Sequence, residues 1–342
     1  MKGVGNQYRA GELVEVRSRE EVLGSLDSSG ALDGLPFMPE MLAYCGRRFR
    51  ISKVAHKTCD TVTQTGGRSL VETYHLEGLR CDGSSHGGCQ ADCLLFWKGA
   101  WLRRPETHSH VSVAPRQSVE ETLIAATRRQ SDPELYRCQA TELLAASDPL
   151  PWWDMRQYWR DLSSGNVRPG RFVRVILSRW LQLTAEAGVG YRLLVSLYNR
   201  LQRILGGSHF PFGAGRVPAG QATPVADLGI QPGERVFVKT HEEILDTVDA
   251  DLKNRGMRFD PEMVPYCGGE YTVRKRVDRI INERTGEMME MKTPCIMLEG
   301  VVCRSEYSAC RLFCPREIPS YWREIWLQRV EEQAKGEAED GA

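Results

Sequence analysis

Residues 11–81 recur at 233–303 with one unbroken offset of 222. The identities include Gly11/Gly233, Val14/Val236, Val16/Val238, Phe37/Phe259, Pro39/Pro261, Glu40/Glu262, Tyr44/Tyr266, Cys45/Cys267, Glu77/Glu299 and Cys81/Cys303. After one deleted residue the match continues through Cys89/Cys310 and Cys93/Cys314 into the aromatic stretches Phe96–Leu102 and Tyr321–Leu327. Duplication on this scale calls for two like modules, each with its own core, joined by a segment without a counterpart. The expected organisation is a first module at 1–104, a helical middle and linker at 105–225, a second module at 226–330 and an acidic, disordered tail at 331–342.

Each module opens on a strand with alternating apolar residues, ELVEV or ERVFV, as in a half-buried strand. A charged helix-like piece follows, then F-x-P-E-M, then strands around Arg48–Val54 and Tyr271–Val277. In the second copy IINERTGEMMEM reads as a hairpin turning at Thr285 and Gly286. The last strand is HLEGLRC or IMLEGVVC. About five short strands with long connections suit a small, partly open barrel.

That order resembles the SH3-like barrels, among them the translation-elongation KOW domains that begin on a G-x-x-V-x-V strand. The resemblance covers the first and middle parts of each module and implies architecture without a catalytic motif. The full pattern of F-x-P-E-M, Y-C-G, L-E-G-x-x-C and a trailing C-x3-C resembles a bacterial family of duplicated cysteine-containing proteins and implies no activity. The expected fold class is α+β multidomain: two SH3-like barrels, each with a four-cysteine metal site, separated by a helical middle.

In the middle, Ser118 and Glu121 form a capping box that predicts a helix start. Further helices are expected over Pro133–Ala146, Trp152–Leu162 and Phe172–Leu205, the last broken near Gly188 and Gly190. Between Trp152 and Leu205 stand nine arginines against Asp154, Asp161 and Glu186. Such a surface could dock on an acidic partner or a membrane surface, or be the solvated face of an ordinary amphipathic helix.

Lysine plus arginine and aspartate plus glutamate both number 45, so no global field draws the chain to nucleic acid, and no specific nucleic-acid partner is expected. There is no apolar run of ~18 residues to span a bilayer and no secretory pattern at the N-terminus, which predicts a cytoplasmic protein. Eleven cysteines in such a chain argue for metal-held thiolates over a disulfide framework.

The repeat nominates the ligands. Four positions match per copy, giving Cys45, Cys81, Cys89 and Cys93 in the first and Cys267, Cys303, Cys310 and Cys314 in the second. Cys59 faces Ile281, Cys295 faces Thr73, and Cys138 lies in the unduplicated middle. Four thiolates suit structural zinc, one ion per module, with C-x3-C placed at the start of a helix so that both sulfurs meet the same ion. An iron–sulfur cluster in each module is the alternative, since Cys314-Pro315 matches the C-P ending of some ferredoxin ligand runs. Unmetallated or redox-active thiols are a third outcome.

Cys81–His86 resembles the C-D-G-x-H end of the CDGSH iron–sulfur family, but the histidine is displaced by one residue, the upstream C-x-C is missing and copy two has no histidine. His86 could still enter the first site. His56, Cys59 and His75 occur only in copy one and leave open whether that module has chemistry of its own. Glu40/Glu262 are expected to serve backbone hydrogen bonding, and Trp97, Trp101, Trp322 and Trp326, spaced i and i+4, to share a helical face and seal the modules. No P-loop, G-x-S-x-G, H-E-x-x-H or dinucleotide fingerprint occurs. The expectation is therefore a non-catalytic scaffold or protein-interaction protein with structural zinc, and the alternative is an iron–sulfur electron-transfer or redox accessory protein for a biosynthetic enzyme.

Overall fold

A computed structural model describes residues 8–63, 65–105, 117–129, 131–186, 191–205, 208–308 and 310–330. The tail expected at 331–342 lies outside them. The described residues form a mixed α/β structure of several small antiparallel sheets and few helices. Among them no helix is long and apolar enough to cross a membrane.

Two compact units emerge, and they do not follow the repeat boundaries. The first takes residues 1–172 together with Arg279–Glu290 and Ala309–Glu317 of the second repeat; the second takes 173–278, 291–308 and 318–342. The division therefore falls inside the helix Pro169–Glu186 instead of at either end of 105–225.

The first repeat builds a five-stranded sheet in the order Trp97–Lys98, Thr73–Leu76, Arg48–Val54, Leu13–Val16, Leu102–Arg103. The sheet of the second repeat has the same order: Pro319–Trp322, Met288–Val302, Glu270–Ile281, Arg235–Val238, Leu327–Arg329. Register agrees as well, with Leu13 opposite Arg50 and Arg235 opposite Thr272, both displaced by the same 222. Short helices follow the first strands, Arg19–Leu23 and His241–Leu245, each begun by a full capping box, Ser18 with Glu21 and Thr240 with Glu243. Each box satisfies helix-terminal N–H groups that would otherwise lack partners.

A barrel closed by hydrogen bonds is absent among the described residues: the strands at the two ends of each sheet do not pair with one another. The sheets are nonetheless curled. Only the 3₁₀ turn Gly99–Trp101 separates Lys98 on one edge from Leu102 on the other. Four residue steps reach about 14 Å, whereas five flat strands would span about 19 Å. Glu324–Trp326 does the same in the second sheet.

The tryptophans close these curls from within. Trp97, Trp101, Trp322 and Trp326 are all fully buried, but on strands and 3₁₀ turns, so the expected helical face does not form. Trp101 meets Phe37 edge-on at 5.1 Å and donates Nε1–H to Ser25 Oγ; Trp326 meets Phe259 at 5.4 Å and donates to Thr247 Oγ1.

In the middle region, helices occupy Gln117–Ala125, Met155–Ser163, Pro169–Glu186 and Tyr191–Leu205. The helix expected over Pro133–Ala146 is replaced by a strand, Asp132–Tyr136, and turns. The strand pairs with Arg128–Arg129, and Tyr136 N–H is taken by the Gly286 carbonyl. Tertiary pairing overrides the local helical pattern there.

Candidate metal centre

The cysteine loop of the first repeat is a tight excursion between the bridged residues Arg80 and Leu94. Cys81 N–H donates to the Cys93 carbonyl at 2.8 Å, closing the loop at its neck. Gly83, with φ at +75°, lets the chain turn back; a Cβ there would strike the Cys89 carbonyl. No helix follows the C-x3-C pairs, contrary to expectation: Cys89–Cys93 is irregular and Cys310–Cys314 a turn. The residue before the last cysteine is left-handed in both, Asp92 at φ 55° and Phe313 at φ 60°, a conformation incompatible with a right-handed helix.

The loop lines a cavity of about 40 Å³. Its walls bring together Cys81, Cys89, Cys93 and His86 with Cys138 from the middle region. Cys45 is not among the lining residues; it caps the 3₁₀ helix Pro39–Tyr44 and packs on the core. Phe96 N–H donates to the Gln139 amide oxygen, which anchors the Cys138 segment beside the loop. The remaining walls include Met38, Leu94 and Phe96, with Ile281, Glu283 and Arg316 from the second-repeat segments of this unit.

Burial pushes the Cys138 thiol up to about 11, the Cys93 thiol to about 12 and the Cys81 thiol well above its ordinary range. Neutral thiols are what a dry pocket favours until a cation replaces their protons. Arg316 supplies a compensating charge. Burial alone would push its guanidinium down, but Glu283, at 2.6 Å, holds it well above its ordinary value.

A single zinc ion with bonds of about 2.3 Å would place all its sulfurs about 3.8 Å apart. The cavity cysteines do not converge that far. Among the described residues, the only three ligand atoms of His, Cys, Asp or Glu lying mutually within 4.8 Å belong to Glu40, Cys81 and His86. His86 Nε2 is 3.3 Å from Cys81 Sγ, and Ser85 Oγ donates to Glu40 at 2.6 Å. In the second unit Glu262 accepts the backbone N–H of Tyr307 at 2.7 Å. Ser85 and Tyr307 are themselves 222 apart, so both acids latch the same position of the cysteine loop, Glu262 through a backbone N–H and Glu40 through a side-chain hydroxyl.

Burial pushes the Glu262 carboxyl up from its ordinary 4.5 to about 7, against the opposing Tyr307 N–H. Its charged form is thus disfavoured on folding, and stability falls as pH rises from 4.5 to about 7. Glu262→Gln keeps an acceptor for Tyr307. It should raise stability by up to about 3 kcal/mol above pH 7 and leave it unchanged near pH 4, read from urea unfolding at the two pH values.

Of the second cysteine set, Cys267 and Cys303 belong to the second unit and Cys310 and Cys314 to the first. Cys314 Sγ accepts the Cys59 backbone N–H at 3.1 Å. A hydrogen bond with the Cys314 thiol, opposed by burial and aided by Arg316 and Arg311, pulls Cys59 down to about 6. His75 is fully buried, packs tilted against Phe96 with ring centroids 4.5 Å apart and lies 3.0 Å from the Leu95 carbonyl, a packing role. His56 sits 3.4 Å from the buried carboxylate of Asp161, which Lys57 meets at 2.6 Å.

Neither a protein family, nor a curated protein, nor a solved structure matches this chain.

Proposed function

We propose that the chain is a metal-binding protein of the electron-transfer or redox-accessory class, whose first unit holds an iron–sulfur cluster on Cys81, Cys89, Cys93 and Cys138. One observation carries the reading: four cysteines line a single apolar cavity without converging on a point. A polynuclear centre takes one thiolate on each of several irons and so suits spread sulfurs, where structural zinc needs them gathered. The buried Arg316–Glu283 pair stands in the wall of the same cavity. His86 stands beside Cys81, where a hydrogen bond to a ligand sulfur tunes potential.

Protein purified without oxygen should contain iron and acid-labile sulfide and absorb in the visible. Cys138→Ser should remove iron from this site and Cys45→Ser should not. Zinc at one ion per site, lost with Glu40→Gln or His86→Ala but kept in Cys138→Ser, would instead select the Glu40–Cys81–His86 trio as a mononuclear centre.

The partner reading rests on the exposed apolar face formed by Trp152, Trp153, Met155 and Trp159, which are 55 to 71% accessible. That face, flanked by Arg156 and Arg160, is the surface through which the accessory protein meets its redox partner, a protein. Each curled five-stranded sheet is read as SH3-like, a frame that holds the cysteine loop in place.

A further inference from the structure

The first unit contains a second group of thiols. Cys59 ends the strand Lys57–Cys59, opposite Gly67 on the neighbouring strand. Cys314 Sγ accepts the Cys59 N–H at 3.1 Å. Cys310 packs on the same hairpin, so close to Gly66 that a Cβ there would lie 3.5 Å from its own. Cys59 and Cys314 thus meet at one end of a two-stranded hairpin, and the exposed Cys310 packs beside its turn.

The arrangement has a counterpart at the first cavity. Under the offset of 222, Cys59 corresponds to Ile281 and Thr61 to Glu283. Ile281 N–H donates to Cys89 Sγ at 3.3 Å, while Cys59 N–H donates to Cys314, the counterpart of Cys93, at 3.1 Å. Thr61 and Glu283 hydrogen-bond to each other. Gln90 exchanges backbone and side-chain hydrogen bonds with Arg279, the counterpart of Lys57, while Lys57 Nζ reaches the Leu312 carbonyl. Each repeat's hairpin therefore meets the cysteine loop of the other. At the first cavity the hairpin position is an isoleucine and forms wall. At the other loop the same position carries a thiol.

From this reciprocity we propose that Cys59, Cys310 and Cys314 supply at least three ligands of a second iron–sulfur centre, with Cys59 doing for the second loop what Cys138 does for the first. Each thiol gives up its proton as it binds iron. The N–H donated to Cys314 is the kind of hydrogen bond that stabilises ligand sulfur and tunes a cluster. The proposal rests on the iron–sulfur reading of the first cavity.

Iron, zinc and sulfide per chain, with the electron paramagnetic resonance of the reduced protein, decide the matter on full-length chains prepared without oxygen. Wild type should show two centres. The double variant C59S/C314S should lose about half the iron and one resonance, Cys138→Ser the other half, and Cys295→Ser neither. Far-ultraviolet circular dichroism of each variant separates ligand loss from failure to fold, and Cys310→Ser alone should shift the second resonance in a folded chain. Iron unchanged in C59S/C314S but lost in Cys138→Ser would overturn this proposal and spare the first. Loss in the first variant and not in the second would do the reverse, and metal-free wild type would end both. A Cys59–Cys314 disulfide in the reduced preparation, or zinc at these thiols, would also overturn it.

Discussion

Lys57→Met should destabilise the first unit by about 3–5 kcal/mol at neutral pH, because it strands a carboxylate that has no access to water. Asp161 is fully buried, and Lys57 Nζ lies 2.6 Å from its Oδ2. Lys57 also donates to the Leu312 carbonyl and stands over the rings of Tyr158 and Phe313 at 5.0 and 5.8 Å. The other carboxylate oxygen has only His56, at 3.4 Å, whose ring burial keeps neutral by drawing it down to about 4. Burial already pushes Asp161 up to about 6, with Lys57 opposing. Without Lys57 the acid would take up a proton still more readily, so the penalty should shrink as pH falls and become small near pH 4. Replacing both partners, Lys57→Met with Asp161→Leu, should recover most of the loss. Urea unfolding of the single and double variants across pH checks all three statements. A single variant as stable as wild type would mean that the pair is not buried as described.

Trp326→Ala should cost the second unit about 3–5 kcal/mol, a large part of the roughly 5–15 kcal/mol that holds a domain folded. The side chain is fully buried, meets Phe259 at 5.4 Å and Trp322 at 6.4 Å, and donates to Thr247 at 2.8 Å. It also forms the 3₁₀ turn that carries the chain between opposite sheet edges, so its loss removes core and closure together. Amide exchange should show protection falling in Arg235–Val238 and Pro319–Trp322. Trp326→Phe should restore much of it by refilling the volume while leaving Thr247 unpaired.

What the sequence disclosed and what it hid have different physical origins. The strands at Leu13–Val16 and Arg235–Val238 were legible because a half-buried strand alternates apolar and polar residues, and the hairpin at Gly286 because its turn needs a left-handed glycine. Membership of a thiol cluster has no period. Cys138 reaches the first cavity because the Gln139 side chain ties its segment to Phe96, and Cys59 reaches Cys314 because one repeat's hairpin crosses to the other's loop. Choosing ligands by matched positions therefore favoured Cys45, which the fold places off the cavity wall. The helix expected after C-x3-C failed for a local reason, the left-handed Asp92 and Phe313, and neither aspartate nor phenylalanine announces that conformation. The Lys57–Asp161 pair spans 104 residues and was invisible for the same reason as Cys138.

Ile281, Glu283 and Arg316 wall a cavity otherwise made by the first repeat and the middle region. A fragment ending at residue 172 would keep the four thiols yet leave them bare on one side, open to oxygen and solvent.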